Sequence, residues 1–103
     1  MGVLTSRVAG VTFEGRQSLM ANVKVGDGIR LEAEPNNPYD PNAVAVFVEN
    51  DKGGQIGYIP RDAAEEFKGL LEAGKVAHAT VESVGRGGPR KPIGCTISVV
   101  AND

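Results

Sequence analysis

The chain has one cysteine, one histidine and no tryptophan. A lone Cys95 excludes a disulfide within the chain, and a structural zinc site needs about four ligands of residue types that are nearly missing here. A Cys–His or Ser–His–Asp nucleophilic set would have to be built around His78, and the residues near it suggest none. No apolar run approaches the roughly 20 residues of a membrane-spanning helix, and no signal peptide is seen. The phosphate-cradling order G-x-x-x-x-G-K-[ST] is absent. Positive charge is also short: the formal net charge is −2 and the pI about 5.4. That balance argues against binding nucleic acid through overall charge, while leaving room for a small local site. The expectation is a non-enzymatic protein with no metal and no cofactor, off the membrane and in the cytoplasm (with the nucleoid, if the source is bacterial).

What remains is an ordinary globular composition. Residues 1–103 read as one domain, 41% hydrophobic and 23% charged, with enough core to fold unaided. Fourteen glycines and six prolines favour many turns, hence short strands more than long helices.

The stretch from Glu34 to Asn42 (Glu-Pro-Asn-Asn-Pro-Tyr-Asp-Pro-Asn) packs three prolines and three asparagines into nine residues. Proline fixes φ, lacks a donor and pushes the preceding residue out of the helical region, so this is neither helix nor the middle of a paired strand. Asn37 and Asp40 each precede a proline and can bond their own backbone two residues on. The apolar run Ala43–Val48 follows at once and reads as a central strand buried on both faces. A rigid polar loop is thus mounted on a buried strand, with Tyr39 and Asp40 at its centre.

Elsewhere the pattern is regular. Val3–Phe13 reads as a first strand bent at Gly10, with Ala9, Val11 and Phe13 on one face. Leu19, Met20 and Val23 fall at helical spacing, enough for one short turn. Ile29, Leu31 and Ala33 alternate with Arg30, Glu32 and Glu34 as a half-buried strand. Asn50–Gly54 supplies hairpin residues before a return strand over Gln55–Ile59. Pro60 suits a helix first turn, Ala63, Phe67, Leu70 and Leu71 form its apolar stripe, and Gly74 suits its end. The helix is placed near residues 61–73. Val76–Val84 alternates with Ala77, Ala79 and Val81 inward, and Ile93, Cys95, Ile97 and Val99 form the inward face of a last strand. The predicted fold class is mainly β with one main helix, a small closed or nearly closed barrel of about six mostly antiparallel strands.

Two features could carry binding. The loop Gly85–Pro92, with Arg86, Arg90 and Lys91, reads either as a phosphate contact or as a solvated hairpin tip. Tyr39 and Asp40 read either as turn residues at the barrel mouth or as a base-stacking site served by nearby cations.

Taken together, these pieces resemble the HIRAN domain family. The resemblance is carried by Val8-Ala9-Gly10-Val11, by Gly26-Asp27 before a strand, by the run from Glu34 through Pro38-Tyr39-Asp40-Pro41-Asn42-Ala43-Val44 to Val46, and by Gly57-Tyr58-Ile59-Pro60-Arg61. It spans about Arg7 to Val100. It implies a modified OB-like barrel that binds single-stranded DNA and, in fork-remodelling translocases of DNA repair, captures the 3′-hydroxyl end. On that resemblance Tyr39 stacks on the terminal base and Asp40 accepts from the 3′-OH. The family's arginine–aromatic pair falls on Thr12 and Phe13, its return-strand histidine on Tyr58, and its nearby lysine on Arg61; an aromatic after the fifth strand has Val84 as its nearest counterpart. Arg16, Arg86, Arg90 or Lys91 would then have to supply the cation that Thr12 does not. The expected partners are single-stranded DNA at its 3′ end and a fused or separate helicase or nuclease, with the domain itself a monomer. The other reading is a protein-interaction or targeting module on the same barrel.

Overall fold

A computed structural model describes residues 2–51, 53–86 and 91–102. The elements in chain order are β1 (Gly2–Arg7), α1 (Arg16–Met20), β2 (Gly28–Ala33), β3 (Val44–Glu49), β4 (Gly54–Tyr58), α2 (Arg61–Glu72), β5 (Val76–Arg86) and β6 (Ile93–Ala101). The strands form one six-stranded sheet in the order β1-β6-β5-β2-β3-β4, and each neighbouring pair is antiparallel. The predicted class holds: a mainly β fold of six antiparallel strands curled into a half-barrel, with one main helix.

β3 lies inside the sheet, between β2 and β4, and α2 packs against it, so its apolar residues are covered on both faces. Val44, Ala45, Val46 and Val48 are all buried. The sheet curls until its two outer edges nearly meet. Ala9, just past β1, donates to the Tyr58 carbonyl at 2.7 Å, and Tyr58 N–H returns a bond to the Ala9 carbonyl at 2.8 Å. This seam demands a glycine at position 57. A Cβ there would stand 2.6 Å from Val8 Cγ1 and closer still to the Ala9 carbonyl oxygen, so only a residue without a side chain lets the edges approach.

The first strand is shorter than its composition suggests. β1 ends at Arg7, and the chain leaves the extended region at Gly10, whose φ is +74°. Successive turns follow, with Phe13 N–H on the Gly10 carbonyl and Arg16 N–H on the Phe13 carbonyl. Phe13 therefore shares no core face with Ala9 and Val11; it is 64% exposed. The short helical turn does form, and Met20 and Val23 are fully buried.

α2 packs on β2 and β3 and buries Ala64 and Phe67 most deeply. Ala63 and Leu71 lie half-buried against the core, so the stripe is wider by Ala64 than the sequence spacing gave. Pro60 stands one residue before the first helical position, as the N-cap. At the other end Gly74 takes φ +67°; its N–H bonds the Leu71 carbonyl and Lys75 N–H bonds the Leu70 carbonyl, the paired closure of a Schellman motif.

β5 departs from simple alternation. Irregular register between Val76 and His78, and again between Val81 and Ser83, turns Ala77 outward instead of into the core. A bulge adds a residue and inverts the facing of what precedes it, which periodicity cannot reveal. Gly85 and Arg86 extend this strand, paired with Gly94 and Ile93, so the expected basic loop starts later than its glycines suggest. Cys95 is buried on β6 as expected, and loss of solvent pushes its thiol up from 9.0 to about 11.

Candidate functional site

The loop 34–42 holds itself together with its own side chains. Asn37 Oδ1 accepts from Tyr39 N–H at 2.9 Å and from Asp40 N–H at 3.1 Å. Asp40 Oδ1 accepts from Asn42 N–H at 2.9 Å. Both bonds two residues on are the turn chemistry read from the sequence. Asn37 Nδ2 also donates to Glu34 Oε1 at 3.0 Å, and Lys68 Nζ on α2 donates to the Pro41 carbonyl at 3.0 Å. With the backbone so fixed, Tyr39 stands 86% exposed. The second Asp40 oxygen, Oδ2, has Arg61 Nε 3.9 Å away.

A second stretch, 10–16, adjoins it. Gly10 and Gly15 have φ of +74° and +75°, and Glu14 has +53°, an uncommon backbone region for a residue with a side chain. Arg16 follows, only 8% exposed. Its Nη1 donates to the Gly10 carbonyl at 2.8 Å, and its guanidinium carbon lies 5.5 Å from the centre of the Tyr58 ring. Gln17 secures the stretch from behind, donating to the Val11 and Ile93 carbonyls and accepting from Ile93 N–H. Tyr58 in turn donates from its hydroxyl to Glu34 Oε1 at 2.9 Å. Glu34 therefore ties the proline-rich loop to the floor.

These walls enclose a groove of about 1100 Å³ whose lining includes Phe13, Arg16, Tyr39, Asp40, Tyr58 and Arg61. Of the residues singled out from the sequence, Phe13, Arg16, Tyr39, Asp40, Tyr58 and Arg61 come together here. Thr12 is exposed beside Phe13 but does not line the groove. Arg86 is turned elsewhere: its Nη2 donates to the Ala21 and Val23 carbonyls at 3.4 and 3.5 Å, because β5 carries it to the end of α1. Lys91 is exposed and Val84 packs against the core; neither lines the groove. Arg90 lies outside the described residues. Glu34 is the residue that sequence reasoning passed over. It reads as the outward member of an alternating strand, and nothing local announces a tyrosine 24 positions away as its partner.

The HIRAN domain family model matches residues 1–101. The chain belongs to the HIRAN domain family. The helicase-like transcription factor of Oryctolagus cuniculus is 35% identical over 71 residues, which are 69% of this chain and 6% of that protein. The helicase-like transcription factor of Mus musculus is 41% identical over 44 residues, 43% of this chain and 4% of that protein. The chain thus spans a small fraction of the length of the curated relatives it matches. Among solved structures, the crystal structure of the HIRAN domain of human HLTF superposes with a TM-score of 0.70 at 22% identity, over 97% of this chain and 74% of that one. A crystal structure of a Lactobacillus plantarum protein superposes with a TM-score of 0.72 at 20% identity, over 95% of this chain and 97% of that one. Both likenesses are of fold.

Proposed function

We propose that this HIRAN domain is a non-catalytic module for single-stranded DNA, and that the groove between the 34–42 loop and Tyr58 takes the 3′-hydroxyl end. The observation that carries the reading is the split use of the Asp40 carboxylate. One oxygen is consumed by Asn42 N–H, and the other has Arg61 Nε at 3.9 Å, beside an exposed tyrosine. A carboxylate near a polyanion repels it unless it meets a donor, and a terminal hydroxyl is such a donor. The Tyr39 ring offers a stacking face that any base can use, worth about 1–3 kcal/mol per base. Arg61, 3.9 Å from Asp40, offsets part of the carboxylate's charge toward an incoming backbone. Catalysis on the bound strand would fall to a fused or separate helicase or nuclease.

Fluorescence anisotropy with short labelled oligonucleotides tests this. A 3′-OH strand should bind, a 3′-phosphate strand should bind several-fold more weakly, and Tyr39→Ala should weaken both by roughly 5- to 100-fold. Asp40→Ala should abolish the preference between the two ends. Equal affinity for both ends in the wild-type protein would remove end recognition. No binding to either strand would turn the reading toward a protein-interaction module on the same barrel.

A further inference from the structure

The groove contains a cation that its own protein leaves poorly paired. Arg16 lines the groove, yet its side chain is only 10% exposed. Its polar partners among the described residues are the neutral Gly10 carbonyl and Glu14 Oε2 at 4.0 Å, on a side chain that is 84% exposed. Glu34, the other carboxylate close to Tyr58, spends its Oε1 on the Tyr58 hydroxyl and on Asn37. A guanidinium has five N–H donors in a rigid fork, and one bond to a carbonyl leaves most of them over. Among the described residues no side-chain nitrogen is both fully buried and unbonded, so the donors left over remain reachable. A guanidinium held in place with reachable donors and no short carboxylate partner is a ready anchor for an anion entering from the groove.

We infer that Arg16 is the fixed phosphate anchor of this groove, holding one phosphodiester of the bound strand; the inference rests on the single-stranded DNA reading above. Phosphate oxygens match the guanidinium fork, which stays charged at any working pH. Arg61 differs in kind. Its side chain is 81% exposed and already leans on Asp40, so it can follow the strand but cannot fix its register. Arg16 is held by the Gly10 carbonyl and the Tyr58 ring before any ligand arrives. The exposed Phe13 and Tyr39 in the same groove favour a nucleic-acid phosphate over a peptide carboxylate.

A double-mutant cycle on the intact chain decides it. One variable is Arg16→Gln, with Arg16→Lys as a second variant that keeps the charge. The other is a set of 3′-OH oligonucleotides, each with one uncharged methylphosphonate in place of a phosphodiester near the 3′ end. For the wild-type protein one particular linkage should matter, weakening binding about tenfold. Arg16→Gln should bind the unmodified strand about tenfold more weakly, lose nothing further at that linkage, and show a slope of log K against log salt smaller by about 0.7. Arg16→Lys should keep the slope but, without the fork, bind several-fold more weakly, with that loss vanishing on the strand uncharged at that linkage; a loss equal on every strand overturns the anchor even if the glutamine variant fails to fold. Losses that multiply at every linkage, or an unchanged salt slope, overturn the anchor while leaving DNA binding intact. Absence of wild-type binding to any strand overturns the functional reading and the anchor with it.

Discussion

Two stretches of irregular backbone line the groove, and they are held in opposite ways. The 34–42 loop is rigid through its own residues: Asn37 and Asp40 bond backbone amides two and three positions on, and its prolines fix φ. The 10–16 stretch closes backbone turns of its own, but among the described residues none of its side chains caps an amide two or three positions on. It is held by left-handed backbone at Gly10, Glu14 and Gly15, by Arg16 reaching back to Gly10, and by Gln17 reaching across to Ile93, 76 positions away. One wall is fixed mostly by its own side chains, with Tyr58 and Lys68 tying it to the barrel, and the other mostly by the closed barrel. Local instructions therefore place Tyr39 and Asp40, whereas Phe13 and Arg16 depend on the whole fold.

The sharpest way to break this contrast is to open the seam. Gly57→Ala puts a methyl group against Val8 and the Ala9 carbonyl; overpacking of this kind against backbone should cost roughly 2–3 kcal/mol, read as a lower urea midpoint. Amide exchange in that variant should quicken over 8–17 more than over 37–42. Equal quickening of both would mean that the loop also relies on closure. Gln17→Ala removes three hydrogen bonds to Val11 and Ile93 and should cost about 2 kcal/mol, again with the exchange change centred on 10–17.

The converse variant is Asn37→Ala. It frees the Tyr39 and Asp40 amides and one bond to Glu34, and should cost only about 1 kcal/mol of stability. DNA affinity should nevertheless fall about tenfold, because the platform is no longer fixed before binding. The smallest effect is a control in the core shared by both regions. Burial leaves the Cys95 thiol at about 11 rather than 9.0, so near pH 8 its thiolate is on the order of 100-fold scarcer than in the unfolded chain, and alkylation should be slowed at least that much. For stability, this raised value means the contribution is whole below about pH 9 and falls away as pH climbs toward about 11. Fast alkylation at pH 8 would show that the β6 side of the barrel opens readily.

The same contrast explains what could be read from the sequence. The strand order cannot be inferred from periodicity, but the strands themselves can, because Ile29 and Leu31 on β2, or Cys95, Ile97 and Val99 on β6, alternate cleanly into the core. Tyr39 and Asp40 were legible because the turn chemistry that fixes them lies within three residues. Three things were not. The bulges in β5 turned Ala77 outward without any local sign. The left-handed Gly10 ended the first strand early and exposed Phe13. The glycine-rich surroundings of Arg86 read as a loop that could contact phosphate, whereas pairing with Ile93 keeps it in β5 and sends its guanidinium to the end of α1. Long-range partners decided each of those cases, as they did for Glu34 and Tyr58.

The most direct test follows amide chemical shifts while a short, unlabelled 3′-OH single-stranded oligonucleotide is titrated into the protein. The account predicts saturable shifts concentrated on Phe13, Arg16, Tyr39, Asp40, Tyr58 and Arg61, with β1 and the outward residues of β5 nearly silent. No shifts, or shifts centred on Arg86 and the far end of β5, would contradict it.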